Sequence, residues 1–335
     1  MMNIAFCGLR HPHIFSLLEL AQKNDETDVV GAWEEDAATR SNAAASLGVP
    51  FYESYEALLA DPRVQIVAVG DYFGIRGART IQALQAGKHV LSDKPLCTSL
   101  AELDEIKRLA TEKSLAVGCM LELRYDPLLR LVAKTIRGGL LGEIHAMDFT
   151  GQHPLNYGVR PMWYFEQGKH GGTFNDLVIH GIDFIQVATG LAYKRTVSAR
   201  QYNGFAHRHP EFKDCAQLMA EYENGAGLLA DVSYSAPAPS AFTLPGYWRF
   251  SFWGENGMIE CTLGKKDFLL ALSGKPAESV KAPAQDGRNC LEEFLREIKD
   301  DNPLYHKNHA LETSRIGLII QQDADRQFKK NTELT

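Results

Sequence analysis

The chain has 335 residues, 45% of them hydrophobic and 23% charged, with a formal net charge of −7. That length suits two domains, and the composition is that of an ordinary globular protein. The negative balance and the absence of a dense Lys/Arg cluster speak against a nucleic-acid partner, and no apolar run reaches membrane-spanning length.

Residues 3–8 read as a short apolar strand ending at Gly8, followed by a helix with an apolar stripe at Ile14, Leu17, Leu18 and Ala21. A second strand over 28–33 closes on Glu34-Glu35-Asp36, and an alanine-rich helix over 37–47 stops at Gly48. A short helix over 54–60, a strand over 64–69 and a helix over 76–86 come next. The strand that starts at His89 runs into Asp93-Lys94-Pro95, where a proline that cannot join a ladder marks its end. A lysine at the carboxyl end of a parallel strand faces the crevice where open α/β sheets bind ligands. Taken alone, Lys94-Pro95 reads better as a loop lysine that precedes a proline. Ser99 with Glu102 forms a capping box for the next helix, and 115–121 is a further strand. Strands alternating with helices at this spacing imply βαβ units and a parallel sheet.

The loop after the first strand is Gly8-Leu9-Arg10-His11-Pro12-His13. Dinucleotide folds place Gly-x-Gly-x-x-Gly here, so that backbone N–H groups approach a pyrophosphate at a helix start. This chain keeps only the first glycine, leaving the Arg10 and histidine side chains as candidate donors. Glu34 suits the ribose hydroxyls of an adenosine and would repel a 2′-phosphate, which favours NAD over NADP. A solvated acidic turn is the other reading of Glu34.

A second domain is expected over 123–335, after a first over 1–122. It opens with an amphipathic helix over 125–137, a strand over 142–150 and a polar, aromatic stretch holding His153, Tyr157, Arg160, Trp163 and Tyr164. A helix over 173–189 follows, then strands over 196–202, 214–222, 227–235, 247–253, 258–263 and 268–272. Two Asn-Gly turns mark hairpins. Helices over 288–299 and 309–327 end the chain. On the helix over 173–189, Asp176, His180, Asp183 and Val187 recur at i, i+4, i+7 and i+11 and share a face. An Asp/His pair one turn apart on a mostly apolar helix is a catalytic pair, a metal pair or a satisfied core histidine. No third ligand stands at a tell-tale spacing, so no metal site is assigned. The six scattered cysteines form no Cys-x-x-Cys, and the first residues lack a signal-peptide core, so the expected location is cytoplasmic.

Two stretches carry a family resemblance. Residues 86–96, Ala-Gly-Lys-His-Val-Leu-Ser-Asp-Lys-Pro-Leu, resemble a signature of the glucose–fructose oxidoreductase/inositol dehydrogenase (Gfo/Idh/MocA) family. Gly171-Gly172, followed by Asp176, His180 and Asp183, is similar to that family's second signature, and Arg124 and Gly142-Glu143-Ile144 also fit. The resemblance implies an α/β fold, with an N-terminal Rossmann-type parallel sheet and a C-terminal α+β domain whose open-faced sheet is mainly antiparallel. It implies a homodimer or homotetramer built through that sheet, often a cis Lys-Pro bond, and hydride transfer between NAD and the carbinol carbon of a sugar or polyol. Lys94, Asp176 and His180 then carry the chemistry. Gly8, Leu9, Arg10, His11, Glu34, Asp71, Asp93 and Lys94 line the cofactor, and Arg124, His153 and Trp163 join the substrate pocket. Two other functions fit the same framework: a relative that retains NAD while cleaving or eliminating, and a non-catalytic sensor. The family's Thr-Pro-Asn after the third strand is replaced here by Gly70-Asp71-Tyr72.

Overall fold

The structure is a computed structural model and describes residues 1–300 and 309–333. It divides into two compact units: Met1–Met120 with Gly168–Gly171 and Asn289–Arg315, and Leu121–Gln167 with Gly172–Arg288 and Ile316–Thr335.

The first unit alternates strand and helix: β1 (Met2–Cys7), α1 (His13–Lys23), β2 (Thr27–Trp33), α2 (Ala37–Leu47), α3 (Tyr55–Ala60), β3 (Ile66–Val69), α4 (Phe73–Gln85), β4 (His89–Ser92), α5 (Leu100–Glu112) and β5 (Val117–Cys119). The strands form one parallel sheet in the order β2-β1-β3-β4-β5. β1 and β3 are completely buried through their inner residues, as a sheet covered on both faces requires. Beside β2, a strand that would complete the usual six-stranded dinucleotide order is reduced to a single bridge between Ala32 and Phe51. The expected capping box at Ser99 and the stop at Gly48 both form, Ser99 accepting from the Glu102 N–H and Gly48 ending α2 in the left-handed region; Asp36 and Ser54 also accept from the Thr39 and Ala57 N–H groups.

The expected division at residue 122 gave the whole remaining chain to the second domain. The structure instead counts Asn289–Arg315 with the first unit. The cause is apolar: α8 (Cys290–Lys299) packs on β4 and β5 with Phe294 against Gly118, and Lys299 pairs with Glu26 at 2.5 Å.

The second unit holds α6 (Pro127–Arg137), β6 (Ile144–Gln152), α7 (Ile179–Thr189), β7 (Tyr193–Tyr202), β8 (Cys215–Tyr222), β9 (Gly227–Ser233), β10 (Arg249–Gly254), β11 (Gly257–Thr262), β12 (Asp267–Leu272) and β13 (Glu278–Lys281). These strands form one eight-stranded sheet, ordered β13-β12-β11-β10-β6-β9-β8-β7, antiparallel except where β6 meets β9. α7 lies directly on it, since a Cβ at Gly181 would enter the Phe149 ring. The opposite face is open and carries Met219, Leu229, Trp253 and Leu269 as exposed apolar residues. α9 (His309–Glu333) closes the described chain. β13 has no sequence signal because Glu278-Ser279-Val280-Lys281 holds one apolar residue; among the described residues it is an edge strand paired with β12 alone. The helix expected over 173–189 is also divided, for Phe174–Val178 forms a π-turn before α7 begins.

Candidate active site

In the first unit, β1 and β3 are neighbours whose connections leave toward opposite edges of the sheet. Such a switch point opens a crevice at the carboxyl ends of the strands. Gly8 turns out of β1 with φ +77°, and a Cβ there would lie 2.5 Å from the Cβ of Asp71. Glycine is therefore required at the one fingerprint position the chain keeps.

The charged side chains of this crevice hold one another. Arg10 Nε reaches Asp71 Oδ1 at 2.6 Å, and its Nη2 donates to Asp71 Oδ2 at 3.0 Å and Glu35 Oε2 at 3.2 Å. The guanidinium also lies 4.6 Å from the Tyr72 ring centroid. Burial opposes its charge, but Asp71 foremost, with Glu34 and Glu35, raises the pKa of Arg10 above its ordinary value. Arg10, expected to reach for a phosphate, is thus engaged by carboxylates. Glu34 turns back onto the loop: Oε2 accepts from the Leu9 N–H at 2.5 Å and Oε1 from the Asp36 N–H at 2.7 Å. Burial raises its carboxyl above the usual value, and those two N–H donors pull the other way.

At the end of β4, Asp93 accepts from Arg76 Nη2 at 2.8 Å and from the His11 ring through Oδ2. Burial works against the Asp93 carboxylate, yet Arg76 and the two imidazoles hold its pKa well below the usual range. Burial drives the His11 pKa down to about 4, against the pull of Asp93. Arg76 is fully buried; its Nε donates to the Asp71 carbonyl at 2.8 Å, and its Nη1 donates to the carbonyls of Lys94 and Pro95. One guanidinium therefore ties the end of β3 to the end of β4. Lys94 itself is buried, with Nζ 5.9 Å from the Phe73 ring centroid, and its bond to Pro95 is cis. No motif in the sequence marks Arg76. The signal was an arginine on the helix face that otherwise buries Phe73, Gly77, Thr80, Ala83 and Leu84.

In the second unit, Asp176 sits in the π-turn and His180 in the first turn of α7, both buried. Such π-turns widen a helix locally and recur at functional sites. Tyr234 donates its phenolic O–H to Asp176 Oδ2, and Trp248 packs edge-on against the His180 ring, centroids 5.5 Å apart. The same indole meets His153 at 5.3 Å, so the two histidines flank one aromatic side chain. Arg160 lies over Tyr164 at 4.4 Å and Tyr234 at 5.5 Å, and donates to the carbonyls of Pro154 and Leu155. Trp163 is buried and stacks on Tyr164 at 4.1 Å. Arg124 takes an internal partner: its Nε and Nη2 grip Asp183, and both residues are buried. Tyr234 and Trp248 were not singled out from sequence, because both lie on or beside strands where an aromatic reads as core.

The arrangement is that of a Rossmann-type nucleotide-binding unit joined in one chain to an α+β unit with a polar, aromatic-lined Asp/His site. The chain belongs to the GFO/IDH/MocA oxidoreductase family: residues 2–120 match the model of its NAD-binding Rossmann fold, and residues 129–260 match that of a GFO/IDH/MocA C-terminal domain. An uncharacterised oxidoreductase of Synechocystis is 29% identical over 281 residues, 79% of this chain and 74% of that protein. The trans-1,2-dihydrobenzene-1,2-diol dehydrogenase of Oryctolagus cuniculus is 27% identical over 291 residues, covering 83% of this chain and 85% of that one. A solved structure from Erwinia carotovora atroseptica superposes with a TM-score of 0.86 at 24% identity, covering 97% of this chain and 99% of that one; at that identity it speaks for the fold.

Proposed function

We propose that this chain is an NAD-dependent dehydrogenase acting on a carbinol carbon of a sugar, polyol or related hydroxy compound. The observation that carries the reading is the fixing of Lys94 at the carboxyl end of β4 by the buried Arg76. The anchor holds the main chain of Lys94 at the ligand end of the parallel sheet, and its side chain is buried instead of trailing into solvent.

The residues of the first unit fit a dinucleotide. Gly8 supplies the tight turn out of β1 that a dinucleotide fingerprint starts with, and Glu34, Glu35 and Asp71 surround the loop with negative charge that disfavours a 2′-phosphate. When bound, the nicotinamide supplies the two-electron acceptor. The chain's own part is to take the hydroxyl proton while hydride leaves the same carbon. His180 suits that role because an imidazole is the side chain most often used to take such a proton, and Lys94 shares or relays it. Asp176, held by Tyr234, orients the substrate hydroxyl or the imidazole. His153, Trp163 and Arg124 belong to the substrate side of this reading, Arg124 through Asp183. The diol named in the rabbit relative is consistent with a carbinol substrate. The open sheet face with Met219, Leu229, Trp253 and Leu269 supports a homodimer or homotetramer.

The test is NADH formation from NAD across a panel of sugars and polyols, for the native chain and Lys94→Ala. The expected result is steady NADH formation with one class of polyol and a loss of about 10²–10⁴ in kcat on substitution. Altered sugar without net NADH would move the reading to a cofactor-retaining lyase or glycosidase. No stabilisation by millimolar NAD or NADP in thermal melts would overturn both and leave a sensor. The commitment of Arg10 to Asp71 and Glu35 is the observation that keeps that last reading alive.

A further inference from the structure

We propose that His11, His13 and Asp93 form a binding site for a divalent transition metal of the Zn²⁺ or Co²⁺ kind, with coordination positions left open to solvent. One ligand atom from each residue lies within 4.8 Å of the others. Metal–nitrogen and metal–oxygen bonds of about 2.0–2.2 Å place neighbouring donors roughly 3–3.5 Å apart, so small side-chain rotations close the set. His13 Nδ1 already stands 3.4 Å from Asp93 Oδ1, and the His11 ring contacts Asp93 Oδ2.

The second, independent observation concerns Asp93. It is 0% exposed, and among the described residues its Oδ1 accepts no hydrogen bond, although a buried carboxylate oxygen ordinarily has a donor. Arg76 occupies the other oxygen at 2.8 Å and so fixes the carboxylate plane with Oδ1 turned toward His13. Outer partners that orient a ligand in this way are characteristic of metal sites. Pro12 separates the two histidines and stiffens the loop, whose rings meet edge to face with centroids 4.5 Å apart. Two imidazoles and one carboxylate are a donor set for zinc, cobalt or ferrous iron and not for magnesium or calcium. The His13 side chain is 50% exposed, which gives the ion a way in and leaves room for water or a substrate oxygen.

The site shares His11 and Asp93 with the residues expected to line the cofactor, so it is tested with the metal alone, in the absence of NAD, and its failure leaves the dehydrogenase reading untouched. Chelator-stripped protein is titrated with Co²⁺ while the visible ligand-field bands are followed, and Zn²⁺ content is measured by elemental analysis after gel filtration. The expected result is one ion per chain, a higher melting temperature with metal, and an affinity loss of about tenfold or more in His13→Ala. His13 lies at the surface, so that variant keeps its fold; its metal-free melt checks this. His153→Ala, an imidazole of the other unit, should bind cobalt as the native chain does. Absence of cobalt bands together with substoichiometric zinc, or equal binding by His13→Ala, would overturn the proposal.

Discussion

Tyr234, on the chain just beyond β9, donates its phenolic O–H to the carboxylate of Asp176, 58 residues earlier. Both groups are buried, and the phenol's pKa is raised by burial first and by the Asp176 charge second. The phenol therefore keeps its proton and donates it to the Asp176 carboxyl group. Hydrogen bonds to charged groups contribute about 1.5–3 kcal/mol.

Tyr234→Phe removes that donor and keeps the ring. The expected outcome is a fall in kcat of about ten- to a hundredfold with KM little changed, read by steady-state kinetics. A rise in KM at unchanged kcat would instead make Tyr234 part of substrate binding and not a positioning residue.

Arg76→Met tests the buried tie between β3 and β4. It leaves the Asp93 carboxylate without its main counter-charge, and such broken buried pairs cost about 3–5 kcal/mol. The measurement is urea unfolding at neutral pH. A change under about 1 kcal/mol would show that water replaces the guanidinium and that the tie is dispensable.

Glu34 gives a pH signature. Burial raises its folded pKa above 4.5, so between that value and its folded value the native state holds more protons than the unfolded chain. Its contribution is fully present below pH 4.5 and is lost as pH rises through the folded pKa. The stability of the native chain relative to Glu34→Gln should therefore be greatest near pH 4 and shrink toward neutrality, as followed by denaturant midpoints. A difference that grows with pH would mean that the Leu9 and Asp36 N–H groups outweigh burial.

Leu229→Arg places a charge on the open sheet face. If that face joins copies of the chain, light scattering after gel filtration should show the variant at half the native mass or less, with unchanged circular dichroism. An unaltered mass would remove the sheet from the assembly.

Much of the first unit was legible because its signals are local. Gly48 stops α2, and Ser99 with Glu102 starts α5. The run into Lys94-Pro95 marked a strand end, and the strand ends at Ser92. What escaped notice depends on distant partners. Arg76 finds Asp93 17 residues on, and Phe294 returns to Gly118 from the far end of the chain. Neither contact leaves a periodicity to read. The π-turn at Phe174–Val178 escaped because its composition is that of any buried helix, and its start is held from outside: Gln321 accepts from the Phe174 N–H at 3.1 Å. The departures in the phosphate loop were visible as letters, but the engagement of Arg10 by Asp71 needed coordinates.

The grip of Gln321 has a bearing on biosynthesis. Its side-chain carbonyl holds the Phe174 N–H, while its amide is anchored by Gln201 and Asp325, at 3.0 Å each. The turn that carries Asp176 thus waits for residues made some 147 positions later. During synthesis the turn at Phe174–Val178 therefore emerges long before one of its holds, and a nascent chain that stops ahead of Gln321 carries that turn without the hydrogen bond to its first N–H.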